Sequence, residues 1–410
     1  MASTHEIDAP IARTAAGSRA GARAGLLTAR LSADIDAAGA LWQRLEAEPA
    51  MSFHQSRAWV EAWARTSSGP ISIVTLDQDG VPFALLPLEI ARIGGLRIAR
   101  FAGTAYSNEN TGLIDLATAA SVAPVPAGTL AAALVRAGLA ADIVLFDKMT
   151  PEGAARPPFS ALSRVIHQNP SFQLPLFADF TQVLAQINAK RRRKKFRVSE
   201  RRLEAIGGYR HLIGEDDAQA LRLLNVFLAQ KPVRLASQGL PNVFSSPGVR
   251  AFLTELATTR TDEGHRALEL HGIELAGGEH EGEIIAVAGL TLKHRHVTCQ
   301  FGSIDETIVP DASAGELLFF RMIERASAAG HAVFDFGVGD QLYKRSWCPC
   351  RTELVDCYAP LTFKGRLAAP LIAAAIGAKR AIKTSPALHA VAARLRALTV
   401  RKPASAPETD

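Results

Sequence analysis

Apolar and polar positions along this chain follow two different periods, and the periods occur in the same order twice. In the first half "GLLTARL" alternates as a strand does, while "DAAGALWQRLEA" and "HQSRAWVEAWART" repeat at helical spacing. The stretch "ISIVTLDQDGVPFALLPLEI" predicts a hairpin turning at Asp79-Gly80, and "RIARFAG" continues the sheet. A helix at "AGTLAAALVRAG" and a strand at "DIVLFDKM" close that half. The second half repeats the order with "GYRHLI", helices over Asp217 to Ala229 and Pro247 to Ala257, and the strands "ALELHGIEL", "EIIAVAGLTLKH" and "HVTCQFGSI". A helix from Ala314 to Ala329 and the strand "AVFDFGV" follow.

Strand, two helices, three antiparallel strands, helix, strand is an order that one mixed α/β sheet accommodates, and its repetition predicts two similar domains. Between them, Asp179 to Ile206 reads as helical. Its centre "KRRRKKFRVSERR", Lys190 to Arg202, carries nine Lys or Arg against one Glu, with Phe196 and Leu203 marking the buried side. The predicted division is a flexible leader (1–25), a first domain (26–150), a connector with the basic helix (151–206), a second domain (207–362) and a basic helical tail with a disordered end (363–410). Pro370 and Pro386 are expected to break the tail helix.

Composition allows this plan. The 410 residues are 48% hydrophobic and 21% charged, enough for two cores. Four cysteines make no disulfide framework, so Cys299, Cys348, Cys350 and Cys357 read as reduced thiols of a cytosolic protein. The first 25 residues lack the apolar stretch of a signal peptide, and the most apolar tail segment, Leu367 to Ala378, falls short of the ~20 residues a membrane span needs. The expected location is cytoplasmic, with a peripheral position on the inner face of the membrane as the variant a basic tail allows.

Candidate chemistry concentrates in "FDFGVGDQLYKRSWCPC", Phe334 to Cys350. It lacks the glycine spacing of a dinucleotide loop and the Lys-Ser/Thr of a P-loop, and its C-x-C has no second pair at zinc-site spacing, so no metal is expected. Asp335 alternates with Phe334 and Phe336 and so faces away from them; Asp340 follows the turn and suits an N-cap. His271, His294 and His296 fall on strands without catalytic spacing. In "VPDASAGELLFF" the small residues Ser313, Ala314 and Gly315 open a helix whose N-terminus could receive phosphate, or Ser313 and Glu316 form a capping box. The nine cations repel one another unless anions are near, which makes RNA, an anionic surface or a phosphate-rich donor their candidate partners; a solvated face is the plainer reading.

Taken together, "FHQSRAWVEAW", the basic helix ending "RRLEAIGG", "ASAGELLFFRMIERASAAGH" and "FDFGVGDQLYKRSW" resemble the Gcn5-related N-acetyltransferase (GNAT) superfamily. Within it they look like the CelD-type branch, named for association with bacterial cellulose biosynthesis and related to the Fem-type peptidoglycan ligases. The resemblance covers about residues 25 to 360. It implies tandem GNAT-like domains, the first degenerate and shaping an acceptor cleft, the second transferring an acyl group from acyl-CoA to an amine on a small molecule or an envelope polysaccharide sugar. It assigns Tyr343 as proton donor and Ser313, Ala314 and Gly315 to CoA; Asp335 and Asp340, at the strand end, are the candidate bases, and Lys344, Trp347, Arg191, Arg192 and Arg193 the candidate substrate contacts. The family loop has a basic or Gln residue and a second Gly where this chain has Asp311 and Gly315 alone. The alternatives are a Fem-type ligase taking its acyl group from aminoacyl-tRNA and a non-catalytic scaffold of a polysaccharide synthesis system.

Overall fold

The computed structural model describes residues 26–121 and 125–385; the leader 1–25 and the tail beyond 385, with Pro386, lie outside the described residues. The elements of the first half are β1 (Leu27–Ser32), α1 (Gly39–Glu46), α2 (Arg57–Thr66), β2 (Ile71–Gln78), β3 (Val81–Ile93), β4 (Leu96–Phe101), β5 (Leu113–Ile114), α3 (Leu116–Ser121), α4 (Thr129–Arg136) and β6 (Ile143–Met149). A crossover segment holds α5 (Pro151–Ala154), β7 (Ser163–Ile166), β8 (Ser171–Pro175), α6 (Phe180–Ala185) and α7 (Ala189–Glu204). Then come β9 (Tyr209–Ile213), α8 (Asp217–Ser237), α9 (Pro247–Thr258), β10 (Glu269–Leu275), β11 (Ile284–Lys293), β12 (His296–Ile304), α10 (Ala314–Ala328), β13 (Val333–Val338), α11 (Leu342–Trp347), β14 (Cys350–Thr352), β15 (Val355–Pro360) and α12 (Phe363–Thr384).

These form two mixed, largely antiparallel sheets flanked by helices, the α/β tandem architecture that the repeated pattern predicts. The first runs β1-β2-β3-β4-β6-β15-β7 with β5 beside β3; the second runs β14-β8-β13-β12-β11-β10-β9. Three strands cross the expected divisions. From within the expected connector, β7 joins the first sheet and β8 pairs with β13 of the second, and β15, expected in the second domain, lies between β6 and β7 of the first. The strands are short, and their local pattern does not say which sheet they join, so tertiary pairing decides where they go.

Two helices are also longer than expected. α8 continues past Ala229 through Pro232 to Ser237, and α12 runs through Pro370. Pro370 sits on the exposed side of its helix, where water can satisfy the carbonyl that the missing N–H frees.

The sheets do not stand apart. One core joins Trp42 and Leu45 of α1 and Trp59 of α2 to Phe227, Phe252 and Leu256 of α8 and α9 and to Phe301 of β12. Trp59 meets Phe252 edge to face at 4.8 Å, and Phe227 stacks on Phe301 at 3.9 Å. Burying each such ring contributes about 1.5–3 kcal/mol, so the lobes stabilise one another.

Candidate active site

The second sheet opens where its two parallel strands part. β12 and β13 pair only over His296↔Val333, Val297↔Phe334 and Thr298↔Asp335. Beyond Thr298 the edge of β12 that faces β13 has no strand partner. Both strands are irregular at the divergence. On β12 the register against β11 slips between Gly289↔Phe301 and Leu290↔Cys299, leaving Gln300 as the extra residue; on β13 it slips against β8 between Asp335 and Val338. A bulge of this kind re-aims a side chain and ends pairing.

The gap is a cleft of about 790 Å³. Its floor is β12 from Cys299 to Ile304, and its sides are Lys231 and Arg234 of α8, Gly315 and Phe319 of α10, Phe336 of β13 and Tyr343 of α11. Tyr343 is 39% exposed, stacked on Phe319 at 5.3 Å and edge-on to Phe336 at 6.0 Å. Burial of the ring pushes its phenol well above the usual value, which keeps the proton in place. Its hydroxyl has no hydrogen-bond partner among the described residues. The Cys299 thiol, pushed up to about 11 by burial, likewise stays protonated.

The other expected site residues divide into those at the cleft and those buried beneath it. Gly315 lines the cleft, but a Cβ there would stand 2.9 Å from Cγ2 of Ile304, so the missing side chain serves the close approach of α10 to β12. Ala314 is buried, and Ser313, in the left-handed region at φ 52°, makes no capping hydrogen bond. The capping box therefore does not form. Glu316 turns instead to Arg192 at 2.5 Å and Lys195 at 3.2 Å.

Arg192 is 2% exposed. Its guanidinium lies 4.0 Å over the Trp347 ring and donates to Ser346 Oγ at 2.6 Å, so neither Arg192 nor the fully buried Trp347 is open to a ligand, contrary to expectation. Arg191 and Arg193 are exposed, on a face with Lys190, Lys194, Arg197 and Arg201. Phe196 stacks on Phe320 at 4.1 Å and Leu203 is buried, which is the apolar side read from their spacing. Residues 192, 196, 199 and 203 share that side, so the helical period had already placed Arg192 there.

Lys344 is buried beside the cleft and donates to the carbonyls of Gly337 at 3.1 Å and Val338 at 2.8 Å; burial lowers it to about 8. Asp335 faces away from Tyr343, as the alternation requires. It accepts from Gly337 N at 2.6 Å, Gln173 Nε2 at 2.9 Å and Ser171 Oγ at 3.3 Å, and lies 3.3 Å from His296 Nε2. Burial works to raise this carboxyl, but the hydrogen bonds from His296, Gln173 and the Gly337 N–H outweigh it and hold it below the usual range. A carboxylate so fully engaged anchors the strand divergence and does not reach the cleft. Asp340 stands at the cleft mouth, not as an N-cap but paired with Arg345 at 2.5 Å.

Sequence reasoning missed the residues that close the apex of the cleft. Asn108, from the loop after β4, inserts between the diverging strands, donating Nδ2 to Gln300 Oε1 at 2.8 Å and accepting from Val338 N at 3.0 Å. Gly337, at φ 70°, faces Asn108 so closely that a Cβ would fall 2.2 Å from its Oδ1. Gln300 Nε2 lies 2.8 Å from Nε2 of the buried His54 and donates to Thr291 Oγ1 at 2.6 Å. Burial lowers His54 to about 4, so its ring is neutral, with Nδ1 3.0 Å from the Glu109 carbonyl. The signal lay in polar residues among apolar ones: "YSNENTG" between two strands, and Gln300 inside "HVTCQFGSI". Below them Gln55 holds the loop, donating to Asn110 Oδ1 at 2.8 Å and accepting from Thr111 N at 2.9 Å.

Across Asn108, Gln300, Phe301 and Val338 the cleft adjoins a second one of about 500 Å³ between the lobes. Arg100, Asp147 and Lys148 of the first sheet line it opposite Tyr106 and Phe244. Lys148 Nζ donates to the carbonyls of Thr104 and of Ser107, and burial lowers its pKa. Among the described residues no group of three or more His, Cys, Asp or Glu is placed to hold a metal ion, and no helix is long and apolar enough to cross a membrane.

A cleft between two diverging parallel strands, entered by a helix N-terminus and flanked by a tyrosine, is the arrangement of a GNAT domain, and residues 190–345 match the family model described as an acetyltransferase (GNAT) domain. The match takes in the basic helix, Gly315 and Tyr343. No curated protein matches the chain. Among solved structures FemX is similar at 13% identity and a TM-score of 0.57, over 81% of this chain and 97% of that one. Others are L-PGS from Bacillus licheniformis (12%, TM-score 0.46, 80% and 99%) and a tandem GNAT protein from the clavulanic acid biosynthesis pathway (11%, TM-score 0.40, 82% and 99%). At this identity the likeness to FemX is one of fold, and it extends over both lobes.

Proposed function

We propose that the chain transfers an acyl group from acyl-CoA to an amine, the donor lying between β12 and β13 and the acceptor entering from the cleft between the lobes. The observation that carries this reading is the divergence itself: an unpaired edge of β12 beyond Thr298, in a cleft that also holds Tyr343, Lys231 and Arg234. The edge without a strand partner suits the amides of the pantetheine arm, with Lys231 Nζ on the Gly302 carbonyl at 2.9 Å, and the two cations suit phosphates. The amine nitrogen forms a bond to the thioester carbonyl carbon, the carbon–sulfur bond breaks as the intermediate collapses, Tyr343 gives its proton to the departing sulfur, and the proton shed by the nitrogen passes through water to restore the phenol. Its hydroxyl is protonated and unengaged by protein, which leaves it free to hydrogen-bond the departing sulfur, although burial makes the phenol a weaker acid.

The resemblance to CelD-type proteins makes an amine on a small molecule or an envelope polysaccharide sugar the acceptor class. The exposed cations of α7 favour a second reading, in which the donor is an aminoacyl-tRNA.

The test is release of free thiol from acetyl-CoA and longer acyl-CoAs in the presence of amino sugars and small amines. Tyr343→Phe keeps the ring on Phe319 and should cut the rate about a hundredfold with affinity and melting temperature unchanged. Full turnover by this variant, where chemistry limits the rate, would make Tyr343 a packing residue.

A further inference from the structure

Helix α12 carries apolar residues on two sides. The face that meets the first sheet holds Gly365, Ala368 and Ala369 together with the half-buried Ile372 and Ile376. Gly365 approaches so closely that a Cβ would fall on the Asp142 carbonyl, and Ala368 and Ala369 are buried, with Ile372 packed against Ile98 and Ile143. Three further large apolar residues point the other way. Phe363 is 72% exposed, Leu367 61% and Leu371 72%. At spacings of four they form one stripe, which the exposed Ala374, Ala375 and Ala378 continue toward the helix end. Burial against the sheet does not account for this exposed stripe.

The charge on the helix says what does. Its 22 residues hold five Lys or Arg and no acid, and Lys364, Arg366 and Lys379 are exposed along the flanks of the stripe. At its start Lys364 donates to the carbonyl of Gly95 at the tip of the β3–β4 hairpin, where Arg92 and Ile93 are also exposed. Toward its other end Arg380 pairs with Glu353 at 2.7 Å and lines a small hollow with Asp340, which also stands at the mouth of the donor cleft. An apolar stripe flanked by cations, on a helix with no segment long enough to span, is the signature of a helix lying in the headgroup region of a bilayer.

We infer that the outer face of α12 binds the surface of an anionic lipid membrane. Acidic lipids match the cations and the acyl region takes the Phe-Leu-Leu stripe. This stands independently of which acyl donor the cleft accepts.

Flotation of the full chain with vesicles of phosphatidylglycerol and phosphatidylcholine tests it. The protein should float with mixed vesicles, bind pure phosphatidylcholine far more weakly, and lose binding as salt rises. The triple variant Phe363→Ser, Leu367→Ser, Leu371→Ser changes exposed positions only. It should keep the wild-type melting temperature while its partition onto vesicles falls at least about tenfold. Equal binding by the triple variant, or no binding by the wild type, overturns the inference. So does a wild-type dimer that the triple variant disperses while neither touches vesicles, because a second copy would then cover the stripe.

Discussion

The behaviour of single residues here is set less by their type than by what the fold does to their solvent. Glu109 illustrates this. It lies in the loop that carries Asn108, facing a cavity with His296, and burial pushes its carboxyl up to about 7, with Asp335 adding to the rise and His296 opposing it. An unfolded glutamate ionises near 4.5. Between that value and 7 the folded chain holds a proton that the unfolded chain has lost, so stability falls as pH rises across the window and levels off above it. His296, raised by its bond to Asp335 despite burial, contributes in the same direction: its stabilisation is full below the unfolded histidine value of about 6.5 and fades as pH rises through its folded pKa. Glu109→Gln should therefore flatten the pH dependence of the melting temperature between pH 4.5 and 7 and leave this variant more stable than wild type at pH 8. A wild-type slope that survives the substitution would place the titrating group elsewhere. None of this is legible in "SNENTG", because the burial that shifts Glu109 arises from lobe contacts that local sequence does not encode.

Among the elements, those with a clean period were legible. The strands and helices of both halves lie where alternation and helical spacing put them, and Asp79-Gly80 turns the first hairpin with φ of 51° and 83°. α8 runs past the expected Ala229 through Pro232, and the added turns carry Lys231 and Arg234, the two cations of the donor cleft. In α7 the helical period sets Arg192 on the buried side with Phe196 and Leu203, apart from the exposed arginines. The two kinds of arginine should separate by experiment. Arg192→Ala leaves Glu316 without its closest partner and uncovers Trp347, and should cost about 2–4 kcal/mol in denaturant unfolding. Arg191→Glu with Arg193→Glu should leave stability within about 0.5 kcal/mol and shorten retention on heparin. If the double variant elutes with wild type, the exposed face of α7 is a solvated surface and the aminoacyl-tRNA reading loses its support.

For the molecule as a whole, the repeated element order was enough to give two sheets, whereas the exchange of strands between them was not. β15 leaves the second half to complete the first sheet, β8 does the reverse, and a shared aromatic core lies between α2 and α9. Each lobe is thus incomplete without chain from the other half, and the apex of the donor cleft is closed by a first-lobe side chain, Asn108, held between Gln300 and Val338. Only three-dimensional pairing brings these segments together, so no spacing rule along the sequence could have assembled them. The central claim is that this jointly built cleft accepts an acyl-CoA, and calorimetric titration of the full chain with acetyl-CoA and longer acyl-CoAs addresses it most directly. The account predicts saturable binding at one molecule per chain with a micromolar dissociation constant, weakened by Arg234→Glu at the cleft wall. No heat of binding from any acyl-CoA under conditions where the chain is folded would contradict it.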